Sequence, residues 1–538
     1  WSRMVKINPN VKKLLYIIYI FLFLLTILIL FSIILVVGLS GCSDFLEPDS
    51  PSEYVPETAD ALNEMLLGEA YPKATTTGLF SLHGALDDDI EMSDVYIAQR
   101  TTSAIENLRL VYSWDPEMYD LYESGTNAMK QWKTYYQFIL GTNAALDYLS
   151  DVTGSVEDKA YVAAQAYALR AFFYFNLVNL FGEPYNYNKA ADGVPLKLAS
   201  GLSDNYEKRA TVGEVYEQII KDLNEAEKNF LTLPEASQNK ASYRINLPAV
   251  ELLHARVCLH MEDMEGAAKY ARKVIEDWDY SLYDLKSFIK VDEIVAGVDA
   301  SYPNYVSLEN PETIWAYGSA SDFVSTIGLA DYMEDGKTLA YMVNASQGLI
   351  DCFEEEDLRK TLYLVQELRG ADNAQPKDLK PAEGHYLPWS KCIMNYNNSV
   401  KYNTVFGMSL RLSEAYLILA EAVYNTDEEL ALRMINELRE KRYAEGKNYE
   451  VNYSGEELLN FIREERRREL CFEGQRWFDL RRYGMPSFKR RWIEYGDYLG
   501  NYVIEKEDAA YTLPISSDVI ERNPALKQNR LTTKKILQ

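Results

Sequence analysis

The sequence predicts a mainly α-helical fold: helical hairpins interrupted by long irregular, aromatic-rich insertions, with minor β elements. Three observations point there. Apolar residues recur at three- and four-residue steps over several stretches, among them Ala164, Tyr167, Ala168, Ala171, Phe172 and Phe175, the spacing of one helix face. Two later segments repeat one pattern, an apolar-periodic run, an acidic turn and a second run rich in small residues. Between them, from about Trp278 to Tyr402, the helical period fades while Tyr, Asn, Asp, Gly and Pro become dense.

The chain opens with Arg3, Lys6, Lys12 and Lys13 and no acidic residue, then runs almost without polar interruption from Leu14 to Leu39. That order is the charged-then-apolar layout of a secretory signal. It ends in Leu39-Ser40-Gly41-Cys42, which reads as a lipoprotein cleavage and acylation site, with residues 1–41 as signal peptide and Cys42 as the lipidated first residue. A diacylglyceryl-type group carries more than one chain, which makes attachment stable. The rival reading is a plain transmembrane anchor, for which about 20 apolar residues suffice. Both place the rest of the chain outside the cytoplasm. Trp1 is no normal initiator, so either Met4 is the start or the ends of the sequence are loosely placed.

Residues 42–59, polar, acidic and Pro-bearing, have the composition of a flexible tether. Helices with loops are expected from about Asp60 to Ser150, including the aromatic stretch Trp132 to Ile139 and then Asn143. The helix carrying Ala164 to Phe175 should stop at Gly182 and Pro184. The first hairpin combines Leu252, Ala255 and Leu259 with Ala267, Ala268, Ala271 and Ile275 across the turn Glu262 to Glu265. The second combines Leu410, Leu417 and Ala420 with Ala431, Met434, Ile435 and Leu438 across Thr426 to Glu429. Small residues at facing positions let antiparallel helices approach closely, as in tetratricopeptide-like hairpins. The pairs are too far apart for tandem repeats, so an interrupted superhelix is expected. Tyr280, Tyr283, Tyr302, Tyr305, Trp315, Tyr317, Phe323, Tyr332 and Tyr341 crowd the intervening region. Long loops in compact proteins are usually functional or disordered, and this aromatic content argues against disorder.

Lys and Arg number 55 against 81 Asp and Glu, a net charge of −26 that becomes −30 once the four basic residues of the leader are removed. Such a surface repels phosphate backbones, and no nucleic-acid partner is expected. The basic cluster Arg463 to Arg468 is balanced by Glu464, Glu465 and Glu469. Cys258 and Cys471 lie in helical apolar patterns and read as buried thiols; Cys352 and Cys392 could pair in an oxidising compartment. No C-x-x-C or His spacing suggests a metal site, and no cofactor is expected, calcium at the acidic run Asp87 to Asp89 being the one alternative to a simply solvated run.

These residues accumulate into a resemblance. Glu465-Arg-Arg-Arg-Glu-Leu-Cys-Phe-Glu-Gly-Gln-Arg-Trp-Phe-Asp-Leu-Arg-Arg-Tyr-Gly484 resembles a block of the SusD/RagB family of Bacteroidetes outer-membrane nutrient-binding lipoproteins. Leu169 to Gly182, Gly193-Val-Pro195 and Arg411 to Ala422 are similar to further family elements, as are Leu513-Pro-Ile-Ser, Asn523-Pro524 and Gln528-Asn529 near the end. Ser516 departs from the usual Pro, no Gly-Tyr pair follows Asn529, and the likeness is weakest from about Ser281 to Gln347. The resemblance implies one globular body, with a SusD-like N-terminal part at 60–232 and a SusD/RagB-like C-terminal part at 233–538, on four tetratricopeptide-like hairpins. It also implies a lipid anchor at the cell outer membrane, facing outward, and a SusC-type TonB-dependent transporter as partner.

In the Glu465 to Gly484 block, charges alternate so closely with apolar residues that several must be buried. Arg466, Glu469, Glu473, Arg476 and Asp479 are expected to form a paired structural network rather than an acid/base site. Ligand contacts are expected in the irregular parts, where aromatic platforms for sugar C–H faces lie beside polar groups that pair with hydroxyls. The candidates are Asp94, Tyr96, Arg100 and Asn107 in the first polar stretch, with Tyr302, Tyr305, Trp315, Phe323, Tyr332 and Tyr341 in the insertion. Trp315 also fits a short buried strand, Ile314 to Tyr317. The expected function is capture of an oligosaccharide or polysaccharide for delivery to a transporter, without catalysis. The alternatives are uptake of peptides or another nutrient by the same route, a glycoside hydrolase, or a protein-interaction scaffold on the hairpins alone; no H-E-x-x-H, G-x-S-x-G or phosphate-binding glycine loop supports other chemistry.

Overall fold

The computed structural model describes residues 18–19, 55–94, 102–122, 129–201, 205–240, 243–287, 305–306, 308–319, 322, 331–332, 339–340, 342–369, 380–387 and 406–538. Cys42 lies outside them, with the tether up to residue 54 and nearly all of the leader; the last tether positions are ordered, Thr58 capping the first helix and Ala59 beginning it. The chain divides into two compact units, residues 1–55 and 56–538. In the first, Ile18 and Tyr19 are helical. No helix among the described residues is long and apolar enough to cross a membrane.

The second unit is mainly α-helical. Its principal helices are α1 (Ala59–Glu69), α2 (Thr102–Tyr112), α3 (Gln131–Asp147), α4 (Val156–Phe181), α5 (Val212–Leu231), α6 (Leu247–His260), α7 (Met264–Glu276), α8 (Leu412–Val423), α9 (Glu428–Glu440), α10 (Gly455–Leu470) and α11 (Arg476–Arg482). Their starts follow from the side chains that precede them. Ser155 with Asp158 and Thr211 with Glu214 close capping boxes on α4 and α5, while Asn246, Asp263 and Asp427 accept backbone N–H groups at the starts of α6, α7 and α9.

Each helix packs on the next in one succession, α1 on α3, α3 on α4, α4 on α5, α5 on α6, α6 on α7, α7 on α8, and α8 on both α9 and α10. The expected hairpins are α6–α7 and α8–α9. Their closeness needs small residues: a Cβ on Gly266 would stand 2.8 Å from Cys258 Sγ, well inside contact distance. The turn between α6 and α7 puts Glu262 in left-handed backbone, φ 60°. Cys258 and Cys471 are buried thiols as expected; Cys352 donates its thiol to Gly348 O, and Cys392 lies outside the described residues.

Two expectations are corrected. The helix holding Ala164 to Phe175 ends at Gly182 as read, but it does not present one apolar face: almost every residue from Ala160 to Phe181 is buried, because helices and strand residues surround it on all sides. Its polar residues are accordingly paired, Arg170 donating to both oxygens of Asp222 at 2.8 and 2.7 Å and to Asn143 Oδ1 at 2.9 Å. Leu410, read as the first residue of a helix, instead lies in a strand that runs directly into α8.

The strands are short and paired: β1 (Ile90–Met92), β2 (Thr313–Ser319), β3 (Asp331–Tyr332), β4 (Leu339–Ala340), β5 (Val343–Ala345), β6 (Val365–Arg369), β7 (Lys380–Leu387), β8 (Phe406–Arg411), β9 (Phe488–Glu494) and β10 (Asp497–Ile504). All pair antiparallel, as β1–β5, β2–β8, β3–β4, β6–β7 and β9–β10.

The charged block from Glu465 to Gly484 forms the end of α10, a turn and α11, and most of its charges are buried and paired with opposite charges, as expected. Arg466 donates to Asp479 at 2.8 Å within the block, but most partners lie elsewhere in the chain. Glu469 accepts from Arg359, Arg411 and Arg442, Glu473 from Arg411, and Arg476 is bidentate on Asp88. The same pattern ties the hairpins together, Arg256 of α6 holding both oxygens of Glu414 of α8 at 2.8 and 2.6 Å.

His254 of α6 stacks flat on Tyr270 of α7, ring centroids 4.2 Å apart, and burial pushes its imidazole down to about 4. The unfolded chain protonates at about 6.5, so the stability contributed by neutral His254 is complete above that pH and is lost as pH falls toward 4, by about 3 kcal/mol in all. We expect His254→Phe to lose less melting temperature than wild type between pH 7 and pH 4.5. Equal losses in the two proteins would contradict this role.

Candidate functional site

The two stretches singled out for ligand contact, the polar segment from Asp87 to Asn107 and the aromatic insertion, meet along one strand pair. β1 follows Asp89 directly and pairs with β5 at the far end of the insertion, with Ile90 opposite Ala345, Glu91 opposite Asn344 and Met92 opposite Val343. Ser93 N donates to Met342 O at 2.8 Å, continuing the contact to the residue before Asp94. β5 in turn packs on β7, so three segments remote in sequence form one shelf.

On this shelf a polar relay runs from the interior to solvent. Asn344 Nδ2 donates to His385 Nδ1 at 2.8 Å, which leaves the proton on Nε2, 3.1 Å from Asp94 Oδ1. The Asp94 side chain is 65 % exposed and that of His385 only 13 %. An imidazole N–H thus fixes an outward-facing carboxylate whose remaining lone pairs are open to hydroxyl donors. Asn344 is buried, and its Oδ1 meets no hydrogen-bond donor among the described residues.

The acidic run beneath the shelf is buried and engaged by arginines rather than solvated. Asp87 and Asp89 are buried; Arg476 grips both oxygens of Asp88 at 2.6 and 2.8 Å, and Arg467 donates to Asp89 at 2.7 Å. Burial pushes the Asp87 carboxyl well up, and Asp89 and Asp88 add to it. At Asp88 burial acts upward too, but the guanidinium groups of Arg467 and Arg476 outweigh it and hold that carboxyl well below the usual range. Among the described residues no group of three or more His, Cys, Asp or Glu is placed to hold a metal ion. The run instead anchors the shelf: Ser346 donates to Asp88 O and Asp89 O, and Arg490 to Ala85 O and Asp87 O.

The near part of the insertion is bound to the N-terminal part by a second anchor. The buried carboxylate of Asp322 accepts the backbone N–H groups of Gly78, Leu79 and Phe80 at 2.6, 3.1 and 2.7 Å. Burial nevertheless pushes it up to about 6 against those three donors. Beside it Gly318 takes φ 69° and lies so close to the Phe80 ring that a Cβ would stand 2.7 Å from it.

The other expected contact residues divide three ways. Asn107 lies on α2 and is partly buried, and Tyr332 is in β3, its backbone paired with Leu339. Tyr96, Arg100, Tyr302, Phe323 and Tyr341 lie outside the described residues. Tyr305 and Trp315 are core residues, which corrects their assignment as ligand platforms. Trp315, 0 % exposed in β2, packs against Phe172 and Tyr317 and donates its indole N–H to Tyr243 O. Tyr305 is buried over Arg411 and accepts from Tyr363 Oη at 2.6 Å. Their rings present no open face because each completes the packing between the insertion and the helices. His385, Asn344 and Asp322 were missed. Only the scarcity of histidine, four in the chain, could have drawn attention to His385.

A protein-family model described as "Starch-binding associating with outer membrane" matches residues 44–259, and the SusD family model matches 365–531. The stretch between them contains the region of weakest resemblance. The chain is 26 % identical over 423 residues to SusD-like protein P2 of Formosa agariphila, covering 74 % of this chain and 79 % of that protein. Among solved structures, a SusD superfamily protein from Bacteroides thetaiotaomicron aligns with TM-score 0.64 at 21 % identity, over 88 % of this chain and all of the other. Surface glycan-binding protein A from Bacteroides uniformis aligns with TM-score 0.61 at 20 % identity, over 88 % and 99 % of the two chains.

Proposed function

This chain belongs to the SusD/RagB family, and from that premise we propose that it captures glycan at the Asp94 shelf, held at the outer membrane by lipid on Cys42, and hands it to a SusC-like TonB-dependent transporter. The relay of Asn344, His385 and Asp94 carries the reading. It presents an oriented carboxylate where the first polar segment, the end of the insertion and β7 converge. Neutral sugars offer hydroxyl pairs to such an acceptor, and the aromatic residues of the insertion would supply faces for their C–H surfaces. Binding is favoured over hydrolysis because a glycosidase needs two carboxyl groups flanking the bond. Here the hydrogen-bond partner of Asp94 is an imidazole, and Asp88 and Asp89 are engaged by guanidinium groups.

The test is affinity electrophoresis through gels of amylopectin, laminarin, xylan and galactomannan, each also assayed for reducing ends. Wild type is expected to be retarded by at least one gel without releasing reducing ends. Asp94→Ala and His385→Ala, which remove a charge-assisted contact, should weaken retention about tenfold, equivalent to about 1.4 kcal/mol. Cys42→Ala should leave the membrane fraction. Retention that is absent in wild type, or undiminished from wild type in both shelf variants, would refute the reading, and released reducing ends would turn it into a hydrolase.

A further inference from the structure

The aromatic stretch that opens α3 is not absorbed by the shelf. Trp132, Tyr136 and Leu140 follow each other at four-residue steps and so share one face of α3. That face forms one wall of a groove of about 520 Å³. Val519, on the short helix Ser517–Arg522 near the C-terminus, and Leu526 form the opposite wall, and Pro195 contributes to the floor. None of these residues belongs to the shelf.

The groove is built rather than incidental. The Trp132 ring stands edge-on to Phe181, centroids 5.0 Å apart, and against Tyr136 at 5.4 Å, so its position is fixed while it remains partly exposed. Tyr136 Oη donates to Pro195 O at 2.7 Å. The far wall is tied down at both ends, Ser517 donating through N and Oγ to Asp120 Oδ1, and Asn523 Nδ2 to Glu207 O at 2.8 Å. Leu140 leaves nearly half its surface in water.

We propose that this groove is a second binding site, for a neutral oligosaccharide, sharing no lining residue with the Asp94 shelf. The inference rests on the reading that the chain binds glycan. The volume falls within the range of about 300 to 1,000 Å³ usual for small-ligand sites. Thirteen residues line it, whereas a stable protein interface engages about 20 to 30 residues a side, so a small ligand fits better than a partner chain. Charge sets the class of that ligand. Lys133, Lys197 and Arg522 face Glu207 and Asp518 around the rim, a nearly balanced set on a chain of net charge −26. A polyanion gains little there against the repulsion of the whole surface, and a polycation meets a rim with more cations than anions. A neutral molecule with apolar faces and hydroxyl edges satisfies both walls and rim: its C–H faces lie on Trp132 and Tyr136, and its hydroxyls reach Gln137 and the alternating donors and acceptors.

The test is isothermal titration of the full-length protein with maltoheptaose, laminarihexaose, xylohexaose and mannohexaose. Wild type is expected to take up two equivalents of the same probe. Trp132→Ala, and separately Val519→Arg, each first shown to melt as wild type does, should reduce this to one, or weaken one of the two sites at least tenfold; Lys133→Glu on the exposed side of α3, which leaves the apolar walls intact, should keep both. The double variant Asp94→Ala, His385→Ala should lose the other equivalent. A single equivalent in wild type, or two equivalents untouched by either groove variant, overturns the second site and leaves the first standing. Failure of every probe to bind wild type removes the glycan reading and this inference with it.

Discussion

Glu469→Ala is expected to yield little or no folded protein. Glu469 is fully buried and accepts from Arg359 at 2.8 Å, from Arg411 at 2.5 Å, from Arg442 at 3.0 and 2.9 Å and from Tyr363 Oη at 3.2 Å. Around it the interior is balanced: Arg359, Arg411, Arg439, Arg442 and Arg468 stand against Asp357, Glu312, Glu465, Glu469 and Glu473. Removing this one carboxylate deprives three guanidinium groups of a shared partner and leaves an uncompensated positive charge where water cannot reach. Breaking a buried pair costs about 3 to 5 kcal/mol, against a total stability of about 5 to 15 for a typical protein. Glu469→Gln, which keeps an acceptor oxygen and the packing, should be less severe. Soluble yield and thermal melts of both variants decide the matter; a wild-type melt for Glu469→Ala would show that the network adds nothing to stability.

Trp315→Ala is expected to lower stability by about 3 to 5 kcal/mol, the usual result of deleting a large buried ring. Its indole touches Phe172 of α4 at 5.2 Å and Tyr317 at 4.8 Å, with no face open to a ligand. Whatever fraction folds at low temperature should bind glycan as wild type does. Melting curves alongside affinity gels would test both halves. Wild-type melting with lost binding would restore Trp315 to the ligand-contacting set.

The residues that could be read from the sequence alone are those whose role repeats along the chain. Leu252 to Ile275 announces a hairpin because small and apolar residues recur at helical spacing around an acidic turn, and α6 and α7 follow it closely. The charged block was legible as structure because Leu470, Trp477 and Phe478 force their neighbours inside. The composition of that block does not say where the partners come from: Arg359, Arg411 and Arg442 approach Glu469 from three distant segments. The same holds at the shelf. Asp94 was singled out for its polar, aromatic neighbourhood, but His385 and Asn344 reach it only through the pairing of β1 with β5 and the packing of β5 on β7, contacts that local pattern does not encode. Trp315 misled because aromatic density alone does not separate a platform from a core ring; the run Ile314 to Tyr317, all buried, carried the better signal.

The Asp322 anchor has a consequence for how such a protein can diversify. β2 is fastened to β8, Asp322 is fastened to the backbone of Gly78 to Phe80, and β5 is fastened to β1. Every one of these attachments lies outside residues 323–341, so they fix the chain to the helical scaffold on either side of that segment. Between ends so fixed, each doubling of chain length costs only about 0.6 kcal/mol in closure. Changes of length between the attachments can therefore accumulate with little effect on the stability of the helical scaffold.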